Sequence, residues 1–184
     1  MNKRFLFAFS FLSLCIWAQS QDKFYTKSGK INFYSVAPLE DIEAKHKSVA
    51  CVLDTKTGSL QFSALIKGFE FENAEMQEHF NEDYLESDKF PKAEFKGQIV
   101  NNAAINYQKS GTYPVQVKGQ LTIHGVTKEV QTTGNIKVDG DGLKAAASFN
   151  IQVADFNIKI PSLVKDKIAK TVKITVDTKL DPVK

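Results

Sequence analysis

The sequence predicts an all-β domain: an antiparallel barrel or sandwich of about eight strands with one or two short helices. Three observations carry this reading. Apolar and polar residues alternate with period two along most of the chain, as in strands with one buried and one solvated face. Glycine-rich turn signals fall between these runs at hairpin spacing, which favours antiparallel neighbours over βαβ units. Only one stretch carries a clear helical stripe.

The clearest strand runs from Thr112 to Val126. Tyr113, Val115, Val117, Leu121 and Ile123 share one face, with Gly119 and Gly125 in phase, and Thr112, Gln116, Lys118, Gln120, Thr122 and His124 share the other. A slip of one residue would put the whole apolar set in water, so the register is well specified. The same alternation marks Ile31, Phe33 and Ser35; Leu60, Phe62, Ala64 and Ile66; and Ala93, Phe95, Gly97 and Ile99. It recurs in Val130 to Val138, Leu143 to Val153, and Val172 to Thr178, while Ile42 to Leu53 is a strand of mixed pattern. Thr57-Gly58 and Asp139-Gly140-Asp141-Gly142 supply turns, where glycine adopts positive φ without a side-chain clash.

Asn73 to Leu85 departs from this pattern. Met76, Phe80 and Tyr84 recur every four residues, an apolar helical stripe. Asn73 is the expected N-cap, Glu75 and Glu78 suit the positive helix end, and Asp88, Lys89 and Pro91 are expected to stop the helix. A second short helical or looped piece is expected near Pro161 to Lys170, with Leu163, Val164 and Ile168 inward.

The N-terminus has the three parts of a secretory signal: basic Lys3 and Arg4, an apolar run from Phe5 to Trp17, and the small residues Ala18 and Ser20 around a cleavage site. The run of 13 residues falls short of the ~20 needed to span a bilayer. Residue 14, before Cys15, is leucine rather than the small residue of a lipobox. Residues 1–20 are therefore expected to be a cleaved signal peptide, and 21–184 the domain. The expected compartment is the periplasm, with the extracellular space as the alternative and no stable membrane anchor after cleavage.

The whole chain has 24 basic and 21 acidic residues; losing Lys3 and Arg4 leaves 22 against 21, a net +1. That balance offers no electrostatic case for nucleic acid. Cys51 alone survives cleavage, among Val49, Ala50, Val52 and Leu53, and reads as an apolar strand-face thiol. His46, His79 and His124 stand far apart in sequence and read as surface or cap residues. No metal-ligand spacing, nucleophile elbow, phosphate loop or CxxC occurs. No catalytic residue, metal or cofactor is expected.

Phe62, Phe69, Phe71, Phe80, Tyr84, Phe90 and Phe95 fall within 34 residues. Ordinary core accounts for any one of them. Ala64, Gly97, Gly119, Ala145 and Ala147 stand at proposed inward positions. Small residues there leave room in a barrel of this size for one apolar ligand.

Two blocks resemble the YceI-like family of bacterial periplasmic lipid-binding proteins. One runs from Met76 to Leu85 (MQEHFNEDYL) and on through Ser87 to Pro91 (SDKFP) and Ala93 to Phe95; the other is Gly119 to Thr127 (GQLTIHGVT). A weaker third block spans Ala154 to Val176. The resemblance implies a lipocalin-like antiparallel barrel of eight strands with an elongated apolar cavity for a polyisoprenoid or another long-chain amphiphile. It implies no catalytic residues. Departures from the family pattern include Pro38-Leu39-Glu40-Asp41 in the first strands, and Ala154 and Asn157 where many members have Arg and Gly.

The expected function is binding, sequestering or carrying a long apolar ligand: a polyisoprenoid, an isoprenoid quinone or a fatty-acid derivative. The alternatives are an enzyme acting on an apolar substrate in the same cavity, and a filled structural barrel. The expected lining is Phe62, Ile66, Phe95, Val115, Val117, Leu121, Ile123, Phe149, Ile151 and Ile174 from the strands, with Met76, Phe80 and Tyr84 from the helix. A monomer or homodimer is expected.

Overall fold

The computed structural model describes residues 22–140, 142–164 and 166–183. The expected signal peptide and its cleavage site lie outside the described residues. Strands β1 (Lys23–Val36), β2 (Asp41–Asp54), β3 (Ser59–Leu65), β5 (Lys92–Ile99), β6 (Gly111–Ile123), β7 (Val126–Asp139), β8 (Gly142–Gln152) and β9 (Thr171–Pro182) form an antiparallel barrel. Their order around it is β1-β9-β8-β7-β6-β5-β3-β2, and β1 pairs back onto β2 to close it. A two-residue strand, β4 (Glu70–Phe71), adds to β2 beside Ala44 and Lys45.

Paired bulges explain the mixed pattern of β2. Between Thr26↔Cys51 and Gly29↔Val49, β1 has one extra residue; between Gly29↔Val49 and Ile31↔His46, β2 has one extra residue. Each bulge reverses the inward phase. In β2, Ala44 and His46 are buried before it, and Val49, Cys51 and Leu53 after it. The bulge amides are held by local side chains. Ser28 N–H donates to Thr26 Oγ1 at 3.2 Å, and Ser48 N–H to His46 Nδ1 at 3.1 Å.

The strand expected to run to Val126 stops at Ile123. His124 and Gly125 both take positive φ (50° and 72°), and Ile123 pairs with Val126. This is the two-residue turn that matches strand twist. Gly125 reads in phase with the strand, so period-two alternation hid the reversal.

Two glycines expected to leave interior space do not. Gly97 and Gly119 are direct cross-strand partners, and a Cβ on either would collide with the Phe95 ring. The glycines make room for Phe95, which takes up the volume they release. Ala64, Ala145 and Ala147 do face open space.

The lower end is closed by Phe24, Leu53, Leu60, Ile99, Val138, Leu143 and Leu180, with Ile105 and Tyr107 from the β5–β6 connection packed beneath. Burying each of these large side chains contributes roughly 1.5–3 kcal/mol. Asn102 pins that connection: its Nδ2 donates to the Thr55 carbonyl at 2.8 Å, and its Oδ1 accepts from the Tyr107 hydroxyl at 2.7 Å.

The helical segment is α1 (Ala74–His79) followed by a wider π-type turn over Phe80–Tyr84. Asn73 caps it as expected, its side chain accepting from the Glu75 and Met76 amides. The end comes earlier than Pro91. Leu85 N–H bonds the Phe80 carbonyl, five residues back, and Glu86 turns left-handed at φ 42°. The expected second helical piece is a single 3₁₀ turn, Ser162–Val164. Asn157 holds φ 55°, a left-handed position that asparagine tolerates better than most non-glycine residues.

Candidate ligand cavity

Inward faces of the strands enclose a cavity of about 260 Å³, slightly below the ~300–1,000 Å³ of ordinary small-molecule pockets. That size suits a slender chain better than a bulky ring system. The floor is Leu53, Leu60, Ile99, Val115, Val117 and Ile136. The wall above it includes Phe62, Ala64, Phe95, Leu121, Ile123, Ala147, Phe149, Ile151 and Ile174. Alternation along each strand puts these groups inside and leaves lysines, glutamines and threonines outside. Among the described residues, Glu94 is the only charged one in the lining.

The upper end is aromatic. Phe33 on β1 meets Phe69, Phe71 and Phe80 at ring-centroid distances of 5.5, 5.7 and 5.5 Å. Phe80 meets Phe69 and Phe71 at 5.7 and 4.9 Å. Such pairs add ~0.5–1.5 kcal/mol beyond simple burial. They fasten the helical segment to the barrel.

All thirteen lining residues expected from the sequence border this one cavity. Ile66 does so from the 3₁₀ turn after β3 rather than from a strand. Sequence reasoning missed several others. Phe33 was in phase on its own strand but unassigned, and Phe69 and Phe71 were noted only as aromatics. Ile158 and Ile160 flank exposed Lys159 in a short alternation that could have identified them.

The three histidines have different roles, and two are not surface groups. His46 is 2 % exposed. Because its Nδ1 accepts from Ser48, the ring proton is assigned to Nε2, which donates to the Leu65 carbonyl at 3.1 Å. Burial holds its pKa below the ordinary value, partly offset by the Leu65 carbonyl and the Glu70 charge. It braces the bulge and does not line the cavity.

His124 sits in the β6–β7 turn with both ring nitrogens facing acceptors: Glu86 Oε2 at 2.7 Å and the Phe156 carbonyl at 3.2 Å. Phe90 packs edge-on against it at 4.6 Å. The hydrogen bond from His124 holds the Glu86 carboxyl below its usual range. His79 is exposed on the helix, where Asp83 at 2.7 Å raises its pKa. Burial pushes the Cys51 thiol up to about 12. Among the described residues, no three His, Cys, Asp or Glu side chains gather as a metal site.

The family model for the YceI-like domain matches residues 18–180. No curated protein matches the chain. Among solved structures, the barrel resembles a polyisoprenoid-binding domain from Saccharophagus degradans implicated in plant cell wall breakdown. The two share 14 % identity at a TM-score of 0.77, over 88 % of this chain and 99 % of that one. BcnA of Burkholderia cenocepacia is 19 % identical at a TM-score of 0.67, over 83 % and 95 % of the two chains. A YceI protein of Campylobacter jejuni is 14 % identical at a TM-score of 0.54, with both chains covered in full. At these identities the structural likeness speaks to the fold, and the eight-stranded antiparallel barrel is common ground. With the family model spanning nearly the whole described barrel, the chain belongs to the YceI-like family.

Proposed function

We propose that this protein is an exported carrier that holds one slender apolar chain, of prenyl or acyl type, inside its barrel. The observation that carries the reading is the cavity of about 260 Å³ inside the barrel, with a lining that is almost wholly apolar. Each methylene moved from water into such a lining contributes ~0.8 kcal/mol, so affinity alone can hold a membrane-derived molecule. A neighbour of the same fold is described as polyisoprenoid-binding, which supports a prenyl chain as the first candidate. The signal-like segment at residues 1–20 supports export to the periplasm. The chemistry is binding, without a catalytic step.

The test is extraction of the purified protein with organic solvent, followed by mass spectrometry and titration with a prenyl alcohol and with palmitate. A co-purified lipid, or saturable uptake of either chain, is expected. Absence of both would overturn the carrier reading.

A further inference from the structure

The barrel wall is not continuous near the cavity's upper end. β2 pairs with β3 only through Ala50–Leu53. Above that, the same edge of β2 meets only Glu70 and Phe71 of the two-residue β4. The helical segment 74–84 supplies missing wall there, because Met76, Phe80 and Tyr84 line the cavity directly.

This piece of wall is attached unevenly. None of residues 74–84 is fully buried. Among the described residues, its hydrogen bonds reach only Asn73, Phe71 and the residues just after it. Gln77 Oε1 accepts from the Phe71 amide, and the Asn81 carbonyl from the Ser87 amide. No such bond joins it to a long barrel strand. Its grip on the barrel is apolar: the Phe80 ring sits among Phe33, Phe69 and Phe71, and Phe80 and Tyr84 pack against the core cluster that includes Ile66, Leu121 and Ile123.

The residues just beyond it are firmly held. Leu85 and Ser87 are buried. Glu86 pairs with His124 at 2.7 Å, and Asp88 with Lys67 at 2.6 Å. Between the loose and the fixed parts lie the π-type turn and the left-handed Glu86. Both are irregularities that concentrate where backbone rearranges. Asn81 Oδ1 in that turn is buried with no hydrogen-bond partner from the described protein residues.

We infer that residues 74–84 form a hinged door in the barrel wall, turning about Glu86 and latched by Phe80, through which a slender apolar chain passes sideways into the cavity. This rests on the carrier reading above. Opening gives up the Phe80 and Tyr84 packing but leaves the strand ladder and the Glu86–His124 anchor intact. Few tertiary hydrogen bonds must break, which is the signature of a low-stability unit within a stable fold.

The test uses stopped-flow uptake of cis-parinaric acid, a slender conjugated acyl chain that fluoresces in apolar surroundings. In Phe80→Ala, the association rate should rise by at least ~10-fold. An unchanged association rate with faster dissociation would make Phe80 plain lining and overturn the door. Native-state hydrogen exchange of the unsubstituted protein is the second measurement. Amides of residues 77–85 should exchange ~100-fold faster than those of β6 and β7, and added palmitate should slow them. Equal protection would overturn the door, including where Phe80→Ala fails to fold. If neither this acyl chain nor a prenyl alcohol binds, the carrier reading falls, and hydrogen exchange still decides whether the segment opens.

Discussion

The imidazole of His46 fills the space that a side chain on residue 68 would need: a Cβ on Gly68 would stand well inside contact distance of Nε2 and Cε1. The two residues are far apart in sequence, yet the fold makes each a condition of the other. With no Cβ at Gly68, the turn after β3 can lie against the ring. The ring then bonds Leu65 within that turn and Ser48 at the β2 bulge.

Gly68→Ala should therefore destabilise the barrel although alanine favours ordinary backbone. Displacing a buried, doubly hydrogen-bonded ring is overpacking, which costs about 1–3 kcal/mol. Urea unfolding measures it. A loss smaller than about 0.5 kcal/mol, the scale of a neutral surface change, would mean that the ring shifts freely.

The same histidine makes stability depend on pH. Burial lowers its pKa in the folded state, so below about pH 6.5 the unfolded chain binds a proton that the native one refuses. The stability it contributes is present above that pH and drains away as pH falls. His79 acts in the opposite sense. Asp83 raises its folded pKa, so its contribution is present at low pH and lost as pH rises through the raised value. His46→Gln should flatten the acid-side fall in the urea midpoint, and His79→Ala should not. Parallel profiles for the unsubstituted protein and His46→Gln would contradict the assignment.

Ala147 offers a direct check on the cavity. It borders the open space and lies between Gly134 of β7 and Val176 of β9. Ala147→Trp should fill the interior and weaken binding of a prenyl or acyl chain by at least ~10-fold, about 1.4 kcal/mol. The strand ladder should survive, as judged by circular dichroism. Undiminished binding would place the ligand outside the barrel.

Much of the fold was legible because alternation is local. The phase of β5, β6, β8 and β9 follows from neighbours two residues apart, and eight of the thirteen lining residues follow from that phase, while Met76, Phe80 and Tyr84 follow from the helical spacing. The Asn73 cap was legible for the same reason, since its partners are Glu75 and Met76. The β6–β7 turn was harder. Its Gly125 keeps the strand's phase, and what settles the reversal is Ile123 pairing with Val126. The interior glycines misled in another way: whether Gly97 and Gly119 leave a hole depends on where Phe95 folds.

Alternation in the sequence determined an antiparallel barrel or sandwich with an apolar inside, because burial of alternate residues is written along each strand; closure into a barrel is the pairing of β1 with β2. Tertiary structure decided what that inside became. Bulges in β1 and β2 turned a mixed pattern into a closing seam, braced by Thr26 and His46. The short pairing of β2 with β3 left part of the wall to a helical segment. These features depend on which distant residues meet, and no local period records that.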